Sequence, residues 1–364
     1  MQAQSSMPTW RAYVGCRTTK ERHARGRGIV MYEVPAQGPW IQRHIAEAGE
    51  NPSFLCMHPG GQFLYTVHGD RDAVSAFAIH ASDGRLTKLG SWSVEGRNPV
   101  HLAFSPDGQW LLAACYATGN VSSLPVLNDG QLGPVANTLS LPCAPGPLQQ
   151  HQKGSHPHQL VFDPTGRWLL VPDKGSDRVF VLTLHAGTGE LKLANSTEFP
   201  PGSGPRHLVF NAAGHHVYLA CELSSQICYC HFNKDTGQLA VVQTLATVPP
   251  ESITGNSAAG IVMANEGSAV HVSNRGHDSV ASFEIHTSTG QLASVGYALT
   301  GGRTPRFITM TPRGDAVVAA NEDSDTIFAM PAPQPVSTEQ PTPATSLLAR
   351  TGSPVCIVFT KERS

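Results

Sequence analysis

Pro205–Phe210 reads PRHLVF, and this six-residue pattern recurs as Pro52–Met57 (PSFLCM), Pro99–Phe104 (PVHLAF), Pro157–Phe162 (PHQLVF), Ala258–Met263 (AAGIVM), Pro305–Met310 (PRFITM) and Pro354–Phe359 (PVCIVF). The seven copies end 47 to 58 residues apart. The fourth residue is always Leu or Ile and the sixth always Phe or Met, the period-two apolar face of a strand. Six copies open with Pro, which suits a first strand residue because no ladder hydrogen bond is lost there. After each of the first six comes a turn glycine (61, 108, 166, 214, 267, 314) and a second β-rich run, which predicts a hairpin. Most repeats continue into a third and fourth strand joined by turns such as Thr188-Gly189 and Thr236-Gly237.

Four strands per repeat, repeated seven times, predict an all-β chain folded as a single seven-bladed β-propeller spanning residues 1–364, because one blade cannot bury both of its faces alone. Only five residues follow the seventh block, too few for three more strands. The last blade is therefore expected to be completed by N-terminal strands within about residues 11–34, closing the ring with both chain ends. Pro142–Gly154 lengthens the entry to the third blade, and Pro331–Ser346 reads as a surface loop or a degenerate outer strand.

Composition narrows the function. A net charge of −2 lacks the basic excess of a phosphate-backbone binder, so no nucleic-acid partner is expected. No run approaches the roughly 20 apolar residues of a spanning helix, and the start has no apolar signal core, so neither a membrane nor export is expected. A cytoplasmic monomer or homodimer is the expectation. The eight cysteines form no CxxC pair and read as reduced core thiols.

In a propeller blade the innermost strand starts at one mouth of the central channel and the next strand ends there. Two columns of residues converge at that mouth. The position after each block's first residue gives Ser53, Val100, His158, Arg206, Ala259, Arg306 and Val355; eight residues after each turn glycine stand Gly69, Tyr116, Lys174, Glu222, Arg275 and Glu322. A chain of nearly balanced charge thus gathers His158, Lys174, Arg206, Arg275 and Arg306 at one opening, where they would focus field on an anion. Glu222 is a ready ion-pair partner for Arg206 or Arg275. Among 17 histidines, His158 is singled out by its place at an inner strand, with His156 as its rival.

The segments GPRHLVFN (204–211), ACELSS (220–225), VSNRGHDSVASFEI (272–285), RTPRFITMTPRGDAVVAANEDSD (303–325) and HPHQLVFDPTGRWLLVPDKGSD (156–177) resemble the seven-bladed lactonase family. That family includes propeller-type 6-phosphogluconolactonases and the fungal carboxymuconate cycloisomerase. The resemblance spans nearly the whole chain and implies a catalytic group of one His, two Arg and one Glu, matching His158, Arg206, Arg275 and Glu222, with His156, Lys174, Arg306 and Tyr116 as substrate-binding candidates. Two departures stand out. SAAGI places Gly260 where relatives carry a carboxylate, and VPDKG places Lys174 where they carry Leu. Lys174 then either shifts preference among acidic lactones or is an exposed residue without a role.

The expected reaction is hydrolysis of an anionic sugar-acid lactone, 6-phosphogluconolactone first. Water attack would be assisted by His158 or Glu222, and the arginines would hold the anion or stabilise the oxyanion. His158 is favoured as base, since an unperturbed imidazole titrates near ~6.5 whereas neighbouring arginines oppose a raised Glu222. A carboxymuconate-type cycloisomerase and a non-catalytic binding platform remain open alternatives. Besides Glu222 and Glu322 the columns offer only Asp173, Asn274 and Asn321, one position earlier, so neither a metal nor another cofactor is expected.

Overall fold

In the computed structural model, which describes residues 10–264, 266–331 and 345–361, each block becomes the innermost strand of a four-stranded antiparallel sheet. The described residues form seven such sheets, numbered here as blades 1–7 in the order of the blocks, and the protein is a seven-bladed β-propeller. Blade 4 shows the plan: Pro205–Phe210 pairs with His216–Cys221, then Gln226–Asn233, then Gln238–Ala246. Its first turn places Gly214 at φ +74°, and the equivalent glycines of blades 1, 2, 3, 5 and 6 adopt the same left-handed backbone.

Blade 7 joins the chain ends. Pro354–Lys361 is its inner strand, followed outward by Trp10–Cys16, Ile29–Val34 and Ile41–Ala46. Trp10 pairs with Lys361 and Gly15 with Cys356, so the closure is a full antiparallel ladder. The N-terminal contribution is three strands reaching residue 46, longer than the 11–34 expected from sequence. The outer strand of blade 6 is Ser346–Arg350. Most of the segment read as a loop before it, residues 332–344, lies outside the described residues.

The core lies between blades. Trp168, Leu170 and Val179 of blade 3 pack against Leu208, Val217 and Leu219 of blade 4, and Val318 and Ile327 of blade 6 pack against Ala12, Val14 and Tyr32 of blade 7. The conserved period-two logic of the inner strand holds at its fourth position, where Leu55, Leu102, Leu160, Leu208, Ile261, Ile308 and Ile357 are all buried. Polar aromatic tips add directional ties between neighbours. Tyr13 Oη donates to Gly84 O, Tyr65 Oη to Gly130 O and Tyr218 Oη to Gly290 O, each reaching the outer turn of the next blade. Tyr218→Phe keeps the ring and removes one such bond. It is expected to lower stability by about 1 kcal/mol, read as a lower urea midpoint at unchanged slope; an unmoved midpoint would show the tie to be energetically idle.

One irregularity recurs in every blade and sets up the mouth. Near its entrance, the inner strand carries one more residue than the strand it pairs with. In blade 4 Pro205 pairs with Cys221 and His207 with Ala220, leaving Arg206 as the extra residue. Arg306 occupies the same place between Pro305 and Phe307, and Val100 between Pro99 and His101. Such a bulge bends the strand and re-aims the extra side chain. Blade 3 departs furthest from expectation: only Val161–Phe162 is regular strand, while Pro157 makes an isolated bridge to Asp173. Between them His158 N still donates to Pro172 O, and side-chain partners take up the rest, with Leu160 N donating to His101 Nδ1 and Gln159 Oε1 accepting from Leu208 N.

Candidate active site

The bulged positions and the ends of the second strands enclose a cavity of about 220 Å³ at one end of the channel. Its lining includes His158, Arg206, Glu222 and Arg275, together with Lys174, Arg306 and Tyr116. Seven of the eight residues singled out from sequence therefore meet around one opening. His156 does not line it. Its ring stacks on Tyr116 at 4.4 Å and 8° between planes, and its Nδ1 lies 2.8 Å from Tyr116 O, so it braces a wall residue instead of facing the cavity. Among the first-column residues Ser53, Val100 and Val355 also line the cavity, whereas Ala259 contributes backbone.

Glu222 is the hub of the blade 3 to blade 5 arc. Its Oε1 accepts from Lys174 Nζ at 2.9 Å, while its Oε2 lies 2.8 Å from Arg206 Nε and 3.1 Å from Arg275 Nη2. Burial alone would raise this carboxyl, but Arg275, Lys174 and Arg206 overcome that and hold it well below the usual carboxylate range. Lys174 is thus neither exposed nor idle: it is 7 % exposed, ion-paired, and its ammonium sits 5.4 Å from the Tyr116 ring centre.

The backbone at the SAAGI departure completes this arc. Arg206 Nη1 donates to Ala259 O at 2.6 Å and Arg275 Nη2 to Ala258 O at 3.2 Å. A Cβ on Gly260 would approach Ile308 N at 3.0 Å and Ile308 Cγ1 at 3.1 Å, so a carboxylate here would require the blade 6 strand to give way. In this chain the two arginines are held by carbonyls.

His158 sits in a buried row of imidazoles that the column reading missed. His158 Nδ1 lies 3.2 Å from His207 Nε2, and His207 Nδ1 lies 3.5 Å from Arg206 Nη1. A guanidinium can only donate. His207 therefore accepts at Nδ1 and carries its proton on Nε2, which points at His158 Nδ1. His158 then bears its own proton on Nε2. Burial foremost, then Arg206, Arg306 and Lys174, push the His158 pKa well below 6.5 and keep the ring neutral. This environment makes His158 a weaker base than an ordinary imidazole, and the three cations around Glu222 make that carboxylate a weak base as well.

A second arc of cations spans blades 6, 7 and 1. Arg17 and Arg22 line the cavity with Arg306. Arg17 Nε lies 2.8 Å from Glu322 Oε1, Arg306 Nη1 lies 3.8 Å from Glu322 Oε2, and Arg22 grips Asp70 through Nε at 2.8 Å and through Nη2. Arg17 follows the strand Trp10–Cys16 as Glu222 follows His216–Cys221, so it is the missing blade 7 member of the second column. Counting from a turn glycine could not find it, because the two strands flanking that position come from opposite ends of the chain. His207 and its neighbour His101 stand third in their blocks, one place beyond the column that was followed. No cluster of His, Cys, Asp or Glu among the described residues has the geometry of a metal site.

Residues 11–359 match the family described as "Lactonase, 7-bladed beta-propeller". The chain belongs to the seven-bladed β-propeller lactonase family. Among curated relatives of this lactonase-family member, the 6-phosphogluconolactonase of Bacillus subtilis (strain 168) is 28 % identical over 360 residues, covering 97 % of this chain and 99 % of the relative. The 6-phosphogluconolactonase of Formosa agariphila is 29 % identical over 330 residues, covering 86 % and 90 %. Among solved structures, the periplasmic gluconolactonase of Pseudomonas aeruginosa superposes with a TM-score of 0.84 at 29 % identity, covering 96 % of this chain and 99 % of that one. Lactone hydrolysis is supported at the level of the family. No helix among the described residues is long and apolar enough to cross a membrane.

Proposed function

We propose that the protein hydrolyses an anionic sugar-acid lactone, with 6-phosphogluconolactone as the foremost substrate, without a cofactor and in the cytoplasm. The observation that carries the reading is the mouth itself: a buried carboxylate holds Lys174, Arg206 and Arg275 in place beside a neutral imidazole that presents an N–H. Eight unpaired cysteines suit a reducing compartment. The names of the relatives from Bacillus and Formosa point to the same substrate.

A lactone carbonyl becomes a tetrahedral oxyanion when water adds. In our reading Arg206, Arg275 and His158 Nε2–H receive that charge as preorganised donors, each worth about 10²–10³ in rate. Glu222 acts as the anchor that fixes the cations, so water attack is driven by charge stabilisation in place of the His- or Glu-assisted step expected from sequence. The attacking water gives its proton to solvent at the mouth, collapse of the oxyanion breaks the ring C–O bond, and the leaving alkoxide takes a proton back from solvent, so that ionisation of the product acid accounts for the net proton released.

The decisive assay is proton release on mixing the protein with 6-phosphogluconolactone, corrected for spontaneous opening, with a carboxymuconolactone control. Turnover of the control alone would favour the isomerase, and inertness toward both would leave a binding platform. Two variants separate donor from base. His158→Ala should lose about 10²–10³ in kcat, while His158→Gln, whose amide can donate, should retain at least about tenfold more activity than the alanine variant. Equal inactivity of the two would restore His158 as the base.

A further inference from the structure

The two arcs of the mouth are built differently. Around Glu222, donors at the tips are engaged: Arg206 Nη1 on Ala259 O, Arg275 Nη2 on Ala258 O and Lys174 Nζ on the carboxylate, while Arg206 Nε and Arg275 Nε are buried without an aligned acceptor among the described residues. Across the channel, the Arg306 guanidinium makes no hydrogen bond to any described residue, and its contact with Glu322 is an ion contact at 3.8 Å. Arg17, whose side chain is 8 % exposed, has its Nε close to Glu322 but without an aligned acceptor among the described residues. Arg22 commits Nε and Nη2 to Asp70, which leaves Nη1 for another acceptor. Unused guanidinium donors thus converge on the cavity from Arg306, Arg17 and Arg22.

We propose that Arg17, Arg22 and Arg306 form a phosphate subsite, so that a bound lactone lies across the mouth with its phosphate on the blade 6 to blade 1 arc and its ester on the His158 side. This rests on the lactone reading for the ester end only.

Charge and solvation both favour the assignment. The mouth gathers six cations (Arg17, Arg22, Lys174, Arg206, Arg275, Arg306) against three carboxylates (Asp70, Glu222, Glu322), leaving three positive charges. A phosphomonoester carries about −1.5 to −2 near neutral pH, and the tetrahedral oxyanion adds one more negative charge. A phosphate is also costly to desolvate. Arg22 and Arg306 leave 44 % and 23 % of their side chains exposed, with Arg17 at 8 %, against 2 %, 9 % and 15 % for Arg206, Lys174 and Arg275, so the phosphate suits the wetter Arg22 and Arg306 and the oxyanion the drier Arg206. Guanidinium forks match phosphate oxygens in pairs.

The loop bearing Arg17 and Arg22 is held in readiness. Asn51, buried and at φ +41°, accepts from Thr18 N at 2.9 Å and Thr19 N at 3.2 Å, while its own N–H donates to Thr18 Oγ1 at 2.9 Å. These bonds clamp the segment to blade 1 before any ligand arrives.

Two readouts test the subsite. Arg22→Gln and Arg306→Gln, with folding checked by circular dichroism, should each lose at least about tenfold more kcat/KM on 6-phosphogluconolactone than on glucono-δ-lactone, the loss of one charged hydrogen bond being worth that much. Inorganic phosphate should bind the unaltered protein in titration calorimetry and bind each variant at least about tenfold more weakly. Equal losses on the two lactones, or phosphate binding that both substitutions leave unchanged, would overturn the subsite. Phosphate binding lost in the variants, from a protein inert toward both lactones, would instead overturn the lactone reading and leave the subsite standing.

Discussion

Glu222→Gln is expected to destabilise the fold by about 3–5 kcal/mol, the usual cost of removing one partner from a buried ion cluster, and to reduce lactone turnover to near background. The amide can still accept a bond from Lys174, but it cannot offset three cations, one of which, Arg206, is 2 % exposed. Their mutual repulsion would then splay the arc that receives the oxyanion. Urea unfolding at pH 7.5 and kcat/KM read the two effects, and a variant as stable as the parent would show that water, not Glu222, neutralises the arc. The pH dependence has a definite sign. Because the folded carboxyl sits below its unfolded value of about 4.3, its contribution is complete above that value and is lost as pH falls through it toward the folded one. The parent's advantage over E222Q should therefore be the same at pH 7.5 and pH 5.5, both above the value where it begins to shrink.

A larger acid effect begins earlier and comes from the imidazole row. Burial, with Arg206 adding, lowers His101 to about 3; burial with the surrounding cations and imidazoles pushes His158 and His207 well below their ordinary value. All three are neutral in the fold but accept protons near 6.5 once unfolded. The unfolded state then binds more protons, and stability falls as pH drops below that value. Each ring contributes about 1.4 kcal/mol per pH unit, so the three together give a slope of about 4 kcal/mol per unit. Urea midpoints measured from pH 7.5 to 5.5 should decline steeply below about 6.5, in a window separate from that of Glu222. His101→Gln, which can still accept from Leu160 N, should remove about one-third of the slope. A flat profile would mean that the rings take up protons in the folded state, and with it the assigned tautomers of His158 and His207 would fall.

The fold was legible because the feature that specifies it is local and repeated. A block such as PRHLVF carries its own strand signal, and its buried fourth residue keeps that role in all seven blades. The mouth was legible as far as that repeat ran unbroken, which brought in Arg206, Glu222, Arg275, Lys174 and Arg306. It failed where the repeat is interrupted. Arg17 lies across the join between chain ends, and Arg22 lies on the short 3-10 turn Lys20–Arg22, which has no counterpart in the repeat. The bulge that aims Arg206 depends on strand register, and the protonation of His158 depends on Arg206 acting through His207. Neither is written in spacing. His156 shows the converse, a residue close to the motif whose ring is taken up by Tyr116.

The ladder between Trp10–Cys16 and Pro354–Lys361 has a consequence for when the protein becomes competent. Arg17 is synthesised long before Pro354–Lys361, yet the strand that precedes it has no inner neighbour until that segment has been made. Throughout translation the N-terminal hairpin waits as an unpaired edge, the kind of surface that invites wrong partners during synthesis. The pore entrance is therefore completed only when that ladder forms: blades 3–5 carry the Glu222 arc without it, but the Arg17 side, and with it the two-sided anion grip, waits for the finished ring.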